Sequence, residues 1–183
     1  MTQPLLQKKK ILAISGSTRA NSVNLHILKA IAGMYDQKAD FIIFNEIDQL
    51  PHFNPDLDKD PLPPAVIDLR KKIEAADGVL ICTPEYVFSL PGSFKNAIEW
   101  MVSTTLFTDK PAALITASSS GQKAHESLDL VMRTVGVKLA KNGSLLISSP
   151  KTKLSVDGVI TDKATLGAIH ELMDAFIKMM LEN

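Results

Sequence analysis

ILAISGSTRANSVNLHILKAIAGMY, residues 11–35, carries the strongest fold signal in the chain. The apolar run over residues 11–15 is typical of a strand that is buried on both faces of a parallel sheet. Gly16 ends this run, and a polar loop follows it. From Asn24 to Tyr35, apolar side chains recur on one face of a predicted helix. The stretch therefore predicts a strand, a loop and a helix in that order, which is the repeating unit of an α/β sheet.

The same alternation continues to the end of the chain. Short apolar runs predict strands, amphipathic stretches predict helices, and the segment 45–64, which is rich in proline and aspartate, predicts a loop. Gly136 is expected to cap the fourth helix. The predicted strands are 11–15, 41–44, 78–83, 112–117 and 144–147, and the predicted helices are 24–35, 65–76, 93–102, 124–135 and 163–181.

Five strands alternating with five helices predict an α/β three-layer sandwich. With right-handed crossovers, the expected arrangement is the flavodoxin-like one, a five-stranded parallel sheet of order 2-1-3-4-5. We expect residues 1–183 to form a single domain, because we find no linker or repeat. In such sheets a ligand binds beyond the carboxyl ends of the strands. The loops after the first, third and fourth strands are therefore the candidates for function.

Composition excludes several classes of partner. The 183 residues include 20 basic and 20 acidic side chains, so we expect no nucleic-acid partner and no membrane-surface partner. The zero net charge also argues weakly against an acidic electron carrier. Cys82 is the only cysteine, which favours a reducing, cytoplasmic location. No apolar run is long enough to span a bilayer, and the N-terminus does not resemble a signal peptide.

The loop after the first strand is a candidate phosphate site. A helix begins just after it, and free backbone N–H groups at a helix start favour an anion. Ser17, Ser22 and Asn24 offer polar donors, and Arg19 offers a charge-assisted hydrogen bond. The loop lacks the G-x-G-x-x-G and G-x-x-x-x-G-K-[ST] motifs, which disfavours a dinucleotide or nucleoside triphosphate site. The alternative is that Ser22 only caps the helix.

The loop after the third strand carries a long motif, PEYVFSLPGSFKNAIEW, residues 84–100. Together with GSTRANSVN, residues 16–24, it resembles the NAD(P)H-dependent FMN reductase family of flavodoxin-like proteins. The motifs of that family are of the types PEYNxSxPGxLKNAIDW and GSxRxxSxN. Both motifs occur here in the same order and on the same predicted elements.

The resemblance implies an FMN-dependent reductase that forms a homodimer or homotetramer. It implies that the first loop contacts the FMN phosphate and that the third loop lies along the isoalloxazine ring. The residues implied on the phosphate are Ser17, Arg19, Ser22, Val23 (through its backbone) and Asn24, and those implied along the ring are Pro84, Glu85, Tyr86 and Val87.

Two features depart from the family pattern. Val87 stands where the family commonly has asparagine, so any contact with the ring would depend on the backbone N–H of this residue. The loop after the fourth strand is poorer in glycine than in many relatives. Either it is a serine-rich turn before a helix, or its residues Ser118, Ser120 and Gly121 approach the edge of the ring.

The expected reaction is hydride transfer from NADPH or NADH to FMN, followed by reduction of a small acceptor such as a quinone, a flavin, an azo compound or a metal oxyanion. FMN performs the difficult chemistry, so we predict no catalytic side chain. No metal is expected, because the four histidines do not have ligand spacing, although His125 is a candidate for substrate contact. Two alternatives are an FMN-binding electron carrier and a flavin-free domain that acts through protein contacts.

Overall fold

The computed structural model describes residues 8–182, which contain five strands and five α-helices. They alternate along the chain, with three short 3-10 helices in the loops. The strands are β1 Lys9–Ser15, β2 Ala39–Phe44, β3 Gly78–Thr83, β4 Pro111–Ser118 and β5 Lys138–Ser148, and the helices are α1 Val23–Met34, α2 Pro64–Ala75, α3 Gly92–Glu99, α4 Gln122–Thr134 and α5 Lys163–Glu182.

All five strands are parallel, and their order is β2-β1-β3-β4-β5, which confirms the predicted sheet. Successive residues of a strand point to opposite faces of a sheet. Val79 and Ile81 of β3 therefore pack in the cluster that contains α2, α3 and α4, whereas Leu80 and Cys82 pack in the cluster that contains α1 and α5. Because helices cover both faces, the carboxyl ends of the strands form one edge that is open to ligands.

The predicted elements differ from the observed ones mainly at the edges of the sheet. Strand β5 begins at Lys138, six residues before its predicted start, and its register against β4 shifts between Ala112 and Leu114. The first half of β5 is polar and partly exposed, with Asn142 at φ +64°, so no apolar run marks it. Helix α3 ends at Glu99, short of its predicted end at residue 102. Gly136, at φ +90°, follows α4 as expected of a C-terminal cap.

The proline-rich segment between β2 and α2 is held by side chains of α3 and its C-terminal end. The Asn96 amide accepts a hydrogen bond from Phe53 N at 2.7 Å and donates one to the carbonyl of Pro51 at 3.0 Å. The indole N–H of Trp100 also donates to Pro51, at 2.8 Å. The asparagine and tryptophan of the long motif therefore hold a loop on this face of the sheet. Within residues 8–182, no helix has the length and hydropathy needed to cross a bilayer.

Candidate functional site

A crevice of about 440 Å³ lies at the carboxyl edge of the sheet, between the loops that follow β1, β3, β4 and β5. Its volume falls within the range of about 300–1,000 Å³ that is usual for small-molecule sites. Its position agrees with the general rule for open parallel sheets. The lining residues are Ser17, Arg19, Ser22, Val23, Asn24, Pro84, Glu85, Tyr86, Ala117, Ser118, Ser119, Ser149, Pro150, Lys151 and Thr152.

The first loop leads into a helix start that suits an anion. Ser22 caps α1, and its hydroxyl oxygen accepts a hydrogen bond from Asn24 N at 3.2 Å. The first turn of α1 contains no acidic residue. Within the described chain, the backbone N–H groups of Thr18 and Val23 have no hydrogen-bond acceptor, and the guanidinium of Arg19 has no partner. Ser22 thus caps the helix while its hydroxyl proton stays available for a ligand.

Gly16 allows this loop to approach β3 closely. Its N–H donates to the carbonyl of Cys82 at 2.8 Å. A Cβ atom at this position would lie 2.3 Å from Oγ1 of Thr83, closer than real Cβ contacts allow. Only glycine therefore fits against the end of β3.

Asn24 has a structural role as well as a place in the lining. Its Nδ2 donates to the carbonyl of Ala117 at 3.3 Å, and its Oδ1 accepts from the Cys82 thiol at 3.2 Å. Burial raises the pKa of this thiol, so Cys82 stays protonated and donates. The side chain of Asn24 therefore ties the start of α1 to the ends of β3 and β4.

Glu85 joins one wall of the crevice to the start of α4. One oxygen of its carboxylate accepts from Ala124 N at 3.0 Å, and the other accepts from Gly121 N at 3.4 Å. These amides lie at the start of α4, where Gly121 has no side chain that could act as a cap. The resemblance implies that Glu85 lies along the flavin ring, and the structure also gives its carboxylate the role of capping α4.

The third loop protrudes as a tight hairpin at the edge of the crevice. Tyr86 and Ser89 exchange two backbone hydrogen bonds, of 3.0 and 3.1 Å. Val87 and Phe88 form the tip with φ angles of +50° and +58°, which are unfavourable for a β-branched residue. Val87 is 95% exposed and lies outside the lining, whereas Tyr86 lines the crevice.

In the fourth loop, some residues line the crevice and others form a turn before α4. Ser118 lines the crevice, but Ser120 and Gly121 do not. The carbonyl of Ser120 accepts from Ser148, and Gly121 lies against Leu146 with φ +92°. His125 is also outside the lining: its ring nitrogens lie 3.1 Å from the hydroxyls of Thr116 and Ser144.

Burial lowers the pKa of His125, against the opposing effect of Asp129 and Glu126. The neutral ring therefore serves as a hydrogen-bonding bridge between α4, β4 and β5.

Nine of the twelve predicted site residues line the crevice. The lining also contains residues that were not predicted from the sequence, namely Ala117, Ser119 and the loop after β5. The four residues of that loop, Ser149 to Thr152, are polar except for Pro150 and follow a parallel strand, so the rule for strand ends would have indicated them. The donors that the first loop brings to the crevice, namely the start of α1, the hydroxyls of Ser17 and Ser22 and the unpaired guanidinium of Arg19, suit a phosphate group.

Comparisons with known proteins agree with this geometry. A family model described as NADPH-dependent FMN reductase matches residues 9–151. An NAD(P)H-dependent FMN reductase of Pseudomonas aeruginosa is 32% identical over 171 residues, covering 91% of this chain and 92% of that protein. An NAD(P)H:quinone oxidoreductase of Solanum tuberosum is 31% identical over 199 residues, covering 98% and 95% respectively.

A solved structure is similar over a comparable length. The flavoenzyme NAD(P)H:(acceptor) oxidoreductase FerB from Paracoccus denitrificans matches with a TM-score of 0.79 and 30% identity, over 95% of this chain and 98% of that one. Because the family model spans most of the chain and these relatives match over nearly their full lengths, the chain belongs to the NADPH-dependent FMN reductase family and is an NAD(P)H-dependent, FMN-containing oxidoreductase.

Proposed function

We propose that this oxidoreductase holds FMN in the crevice and passes electrons from NAD(P)H to a small acceptor such as a quinone. The observation that carries the proposal is the start of α1, where the unpaired Val23 N–H, the hydroxyls of Ser17 and Ser22 and the Arg19 guanidinium belong to residues that line the same crevice. This donor set fits a phosphate group. Bound FMN supplies the chemistry of accepting a hydride and releasing its electrons.

The residues of the chain bind and orient. Ser17, Arg19, Ser22 and Asn24, with the Val23 N–H, are assigned to the phosphate end. Pro84, Glu85 and Tyr86 are assigned to one wall along the ring, where the Glu85 carboxylate fixes the wall to α4.

Three residues that were predicted to bind the flavin, namely Val87, Ser120 and Gly121, lie outside the lining of the crevice. No acceptor within residues 8–182 takes the Val87 N–H, which supports its proposed hydrogen bond to the ring edge. Ser120 and Gly121 are proposed to support Ser118 from behind, because the Ser120 carbonyl and the Gly121 N–H already have protein partners.

The proposal extends to assembly and location. The resemblance of the two loop motifs to the FMN reductase family supports a homodimer or homotetramer. The single sheet with helices on both faces supports one FMN-binding domain over residues 1–183, and the presence of one cysteine, Cys82, which cannot form an internal disulfide, supports a cytoplasmic location. Sedimentation should give two or four times the chain mass of 19.9 kDa, and a species of 19.9 kDa at micromolar concentration would contradict the assembly.

The decisive experiment begins with protein purified without added flavin. We expect bound FMN, anaerobic bleaching of its absorbance by NADPH, and steady NADPH oxidation when a quinone is supplied. Protein that bleaches but does not turn over with quinones, flavins, azo dyes or metal oxyanions would instead be an electron carrier. A colourless protein that takes up no FMN would contradict the proposal altogether.

A further inference from the structure

The loop after β5 forms a wall of the crevice that the motifs of the first and third loops do not explain. Ser149, Pro150, Lys151 and Thr152 all line the crevice, although β5 is an edge strand of the sheet. The ammonium group of Lys151 has no hydrogen bond or ion pair with any described residue. This loop therefore brings a free cation to a ligand site.

Backbone contacts fix the position of Lys151. Ser149 N donates to the carbonyl of Ser118 at 2.9 Å and so continues the pairing of β4 with β5. The Thr152 hydroxyl and the Thr152 N–H both reach the carbonyl of Ser149, at 2.9 and 3.1 Å. Pro150, between them, is buried. Lys151 is thus held on a closed turn.

The turn begins with a strained residue. Ser149 has φ +52° and ψ +48°, the left-handed conformation, which costs about 1–2 kcal/mol for a residue with a side chain. Strain of this kind persists where the surrounding structure enforces it, and it is frequent at ligand sites. Here the left-handed residue turns the chain out of β5 into the wall of the crevice.

The charges in the crevice are unbalanced. Its lining contains two cations, Arg19 and Lys151, and one carboxylate, that of Glu85. The carboxylate is occupied by the amides at the start of α4. Both cations lack a partner among the described residues, so a ligand that satisfied them would carry negative charge.

The wall formed by the β5 loop shares its crevice with the start of α1. Asn24 at the start of α1 bonds to the carbonyl of Ala117, and Ala117 pairs in register with Ile147 of β5. The start of α1 is therefore tied to β4, the strand that neighbours the one from which the β5 loop emerges. From these observations we propose that Lys151 is a phosphate-binding residue, a second cationic contact in addition to Arg19.

The assignment of Lys151 rests on the proposed function. It adds a residue that follows β5, outside the two motifs at residues 16–24 and 84–100. Its place in the same crevice as the start of α1 favours the FMN phosphate as the group bound. The phosphates of NADPH present the same chemistry, so the experiment must separate these two sources.

The test measures ligand binding rather than turnover. Flavin-free full-length protein is titrated with FMN and with riboflavin, which lacks the phosphate, and quenching of flavin fluorescence gives each Kd. Lys151→Ala should raise the Kd for FMN about tenfold and change the Kd for riboflavin less than twofold, as expected when one charge-assisted hydrogen bond is lost. Lys151→Arg should restore most of the affinity.

Lys153→Ala is the matched control, because it removes the same charge two residues away and Lys153 does not line the crevice. It should leave both flavin affinities within twofold of wild type. Circular dichroism and thermal unfolding confirm that each variant is folded, which we expect because Lys151 is exposed.

A second arm titrates FMN-loaded protein with NADP⁺. A loss of NADP⁺ affinity in Lys151→Ala without any loss of FMN affinity would assign Lys151 to the phosphates of the co-substrate. The phosphate role would be overturned if Lys151→Ala left the affinities for FMN and NADP⁺ unchanged. It would also be overturned if the variant lost equal affinity for FMN and for riboflavin. Wild-type protein that binds no FMN would instead overturn the proposed function, and the role of Lys151 with it.

Discussion

In the first loop, Gly16 is the residue that tolerates substitution least, because a side chain there would collide with β3. In Gly16→Ala the new Cβ would lie 2.3 Å from Thr83 Oγ1 and 2.5 Å from its Cβ, so the loop must move away from β3. We expect a loss of about 2 kcal/mol in the free energy of unfolding, typical of overpacking, and weaker FMN binding. Urea unfolding and FMN titration measure the two effects.

Gly33→Ala provides the control for that substitution. Nothing lies within 4 Å of a Cβ at Gly33, which is in α1, so this variant should gain roughly 0.5–1 kcal/mol from helix propensity. If Gly16→Ala were as stable as wild type and bound FMN normally, the close packing described here would be wrong.

Val87 is the residue whose backbone conformation fits its side chain least. At φ +50° a β-branched side chain is strained, whereas asparagine tolerates this region. Val87→Asn should therefore stabilise the protein by about 1 kcal/mol, which raises Tm by roughly 2–4 °C for a chain of this length. Val156→Asn is the control: Val156 is 99% exposed and does not have positive φ. Equal shifts for both variants would show that the gain does not come from backbone strain.

Among individual residues, those in motifs were the most predictable. Ser17 and Ser22 were indicated because a polar loop before an amphipathic helix implies a cap and an anion site, and both line the crevice. Lys151 was not predicted, because nothing local distinguishes an unpaired lysine in the crevice wall from a solvated one. The helix-capping role of Glu85 was hidden for a related reason, since its partners are 36 and 39 residues away.

At the scale of elements, Glu85 connects the third loop to helix α4. Glu85→Ala removes the acceptors for Ala124 N and Gly121 N and should cost about 1–2 kcal/mol, as the loss of a helix cap does. FMN affinity should fall as well, because the wall that includes Pro84 loses its attachment. Glu85→Gln keeps one neutral acceptor but loses the charge at the helix start, so we expect an intermediate loss.

Glu126→Ala is the matched control on the same helix. The Glu126 carboxylate pairs with Lys123 on the exposed face of α4, where solvent screens the pair, so its loss should change the free energy of unfolding very little. Chemical unfolding monitored by circular dichroism compares the three variants. The capping role fails if Glu85→Ala and Glu126→Ala unfold at the same denaturant concentration.

The helices and strands could be predicted where their burial produces a recognisable pattern of apolar residues in the sequence. Strands β1, β3 and β4 are buried along nearly their whole length, so apolar runs revealed them. Half of β5 was missed because an edge strand is paired on one side and partly exposed, and polar residues such as Lys141 and Asn142 interrupt its apolar character. The end of α3 was misplaced because apolar residues continue past Glu99 into a turn in which Trp100 and Met101 are still buried.

For the whole molecule, the order of strands places the site. Helices on both faces leave only the two ends of the sheet accessible, and the loops at the carboxyl ends converge there. Four strands contribute to one crevice, so the binding site depends on the integrity of the entire sheet. Interactions far from the crevice therefore matter to function through the free energy of unfolding.

The partly buried ion pair between Asp58 and Arg70 is the clearest such interaction. The guanidinium lies 2.7 Å from the Asp58 carboxylate, and its Nε donates to the Trp100 carbonyl at 3.1 Å. The pair joins the proline-rich segment to α2 and to the end of α3. Burial opposes ionisation of Asp58, but hydrogen bonds from Ser103 and Arg70 outweigh it and hold its pKa below the usual range.

A lowered pKa in the folded state gives a definite dependence of stability on pH. The carboxylate of Asp58 stabilises the fold fully above its unfolded-state pKa, near 3.9, and loses this contribution as the pH falls through its lower folded-state value. Asp58→Asn should therefore cost about 1–2 kcal/mol at pH 7, and the difference from wild type should shrink steadily below about pH 4. Urea unfolding at a series of pH values measures this difference.

Asp68→Asn, in an exposed pair with Lys72, should cost little at any pH. A cost for Asp58→Asn that stayed constant down to pH 2 would show that packing, and not the charge of this carboxylate, holds the segment in place.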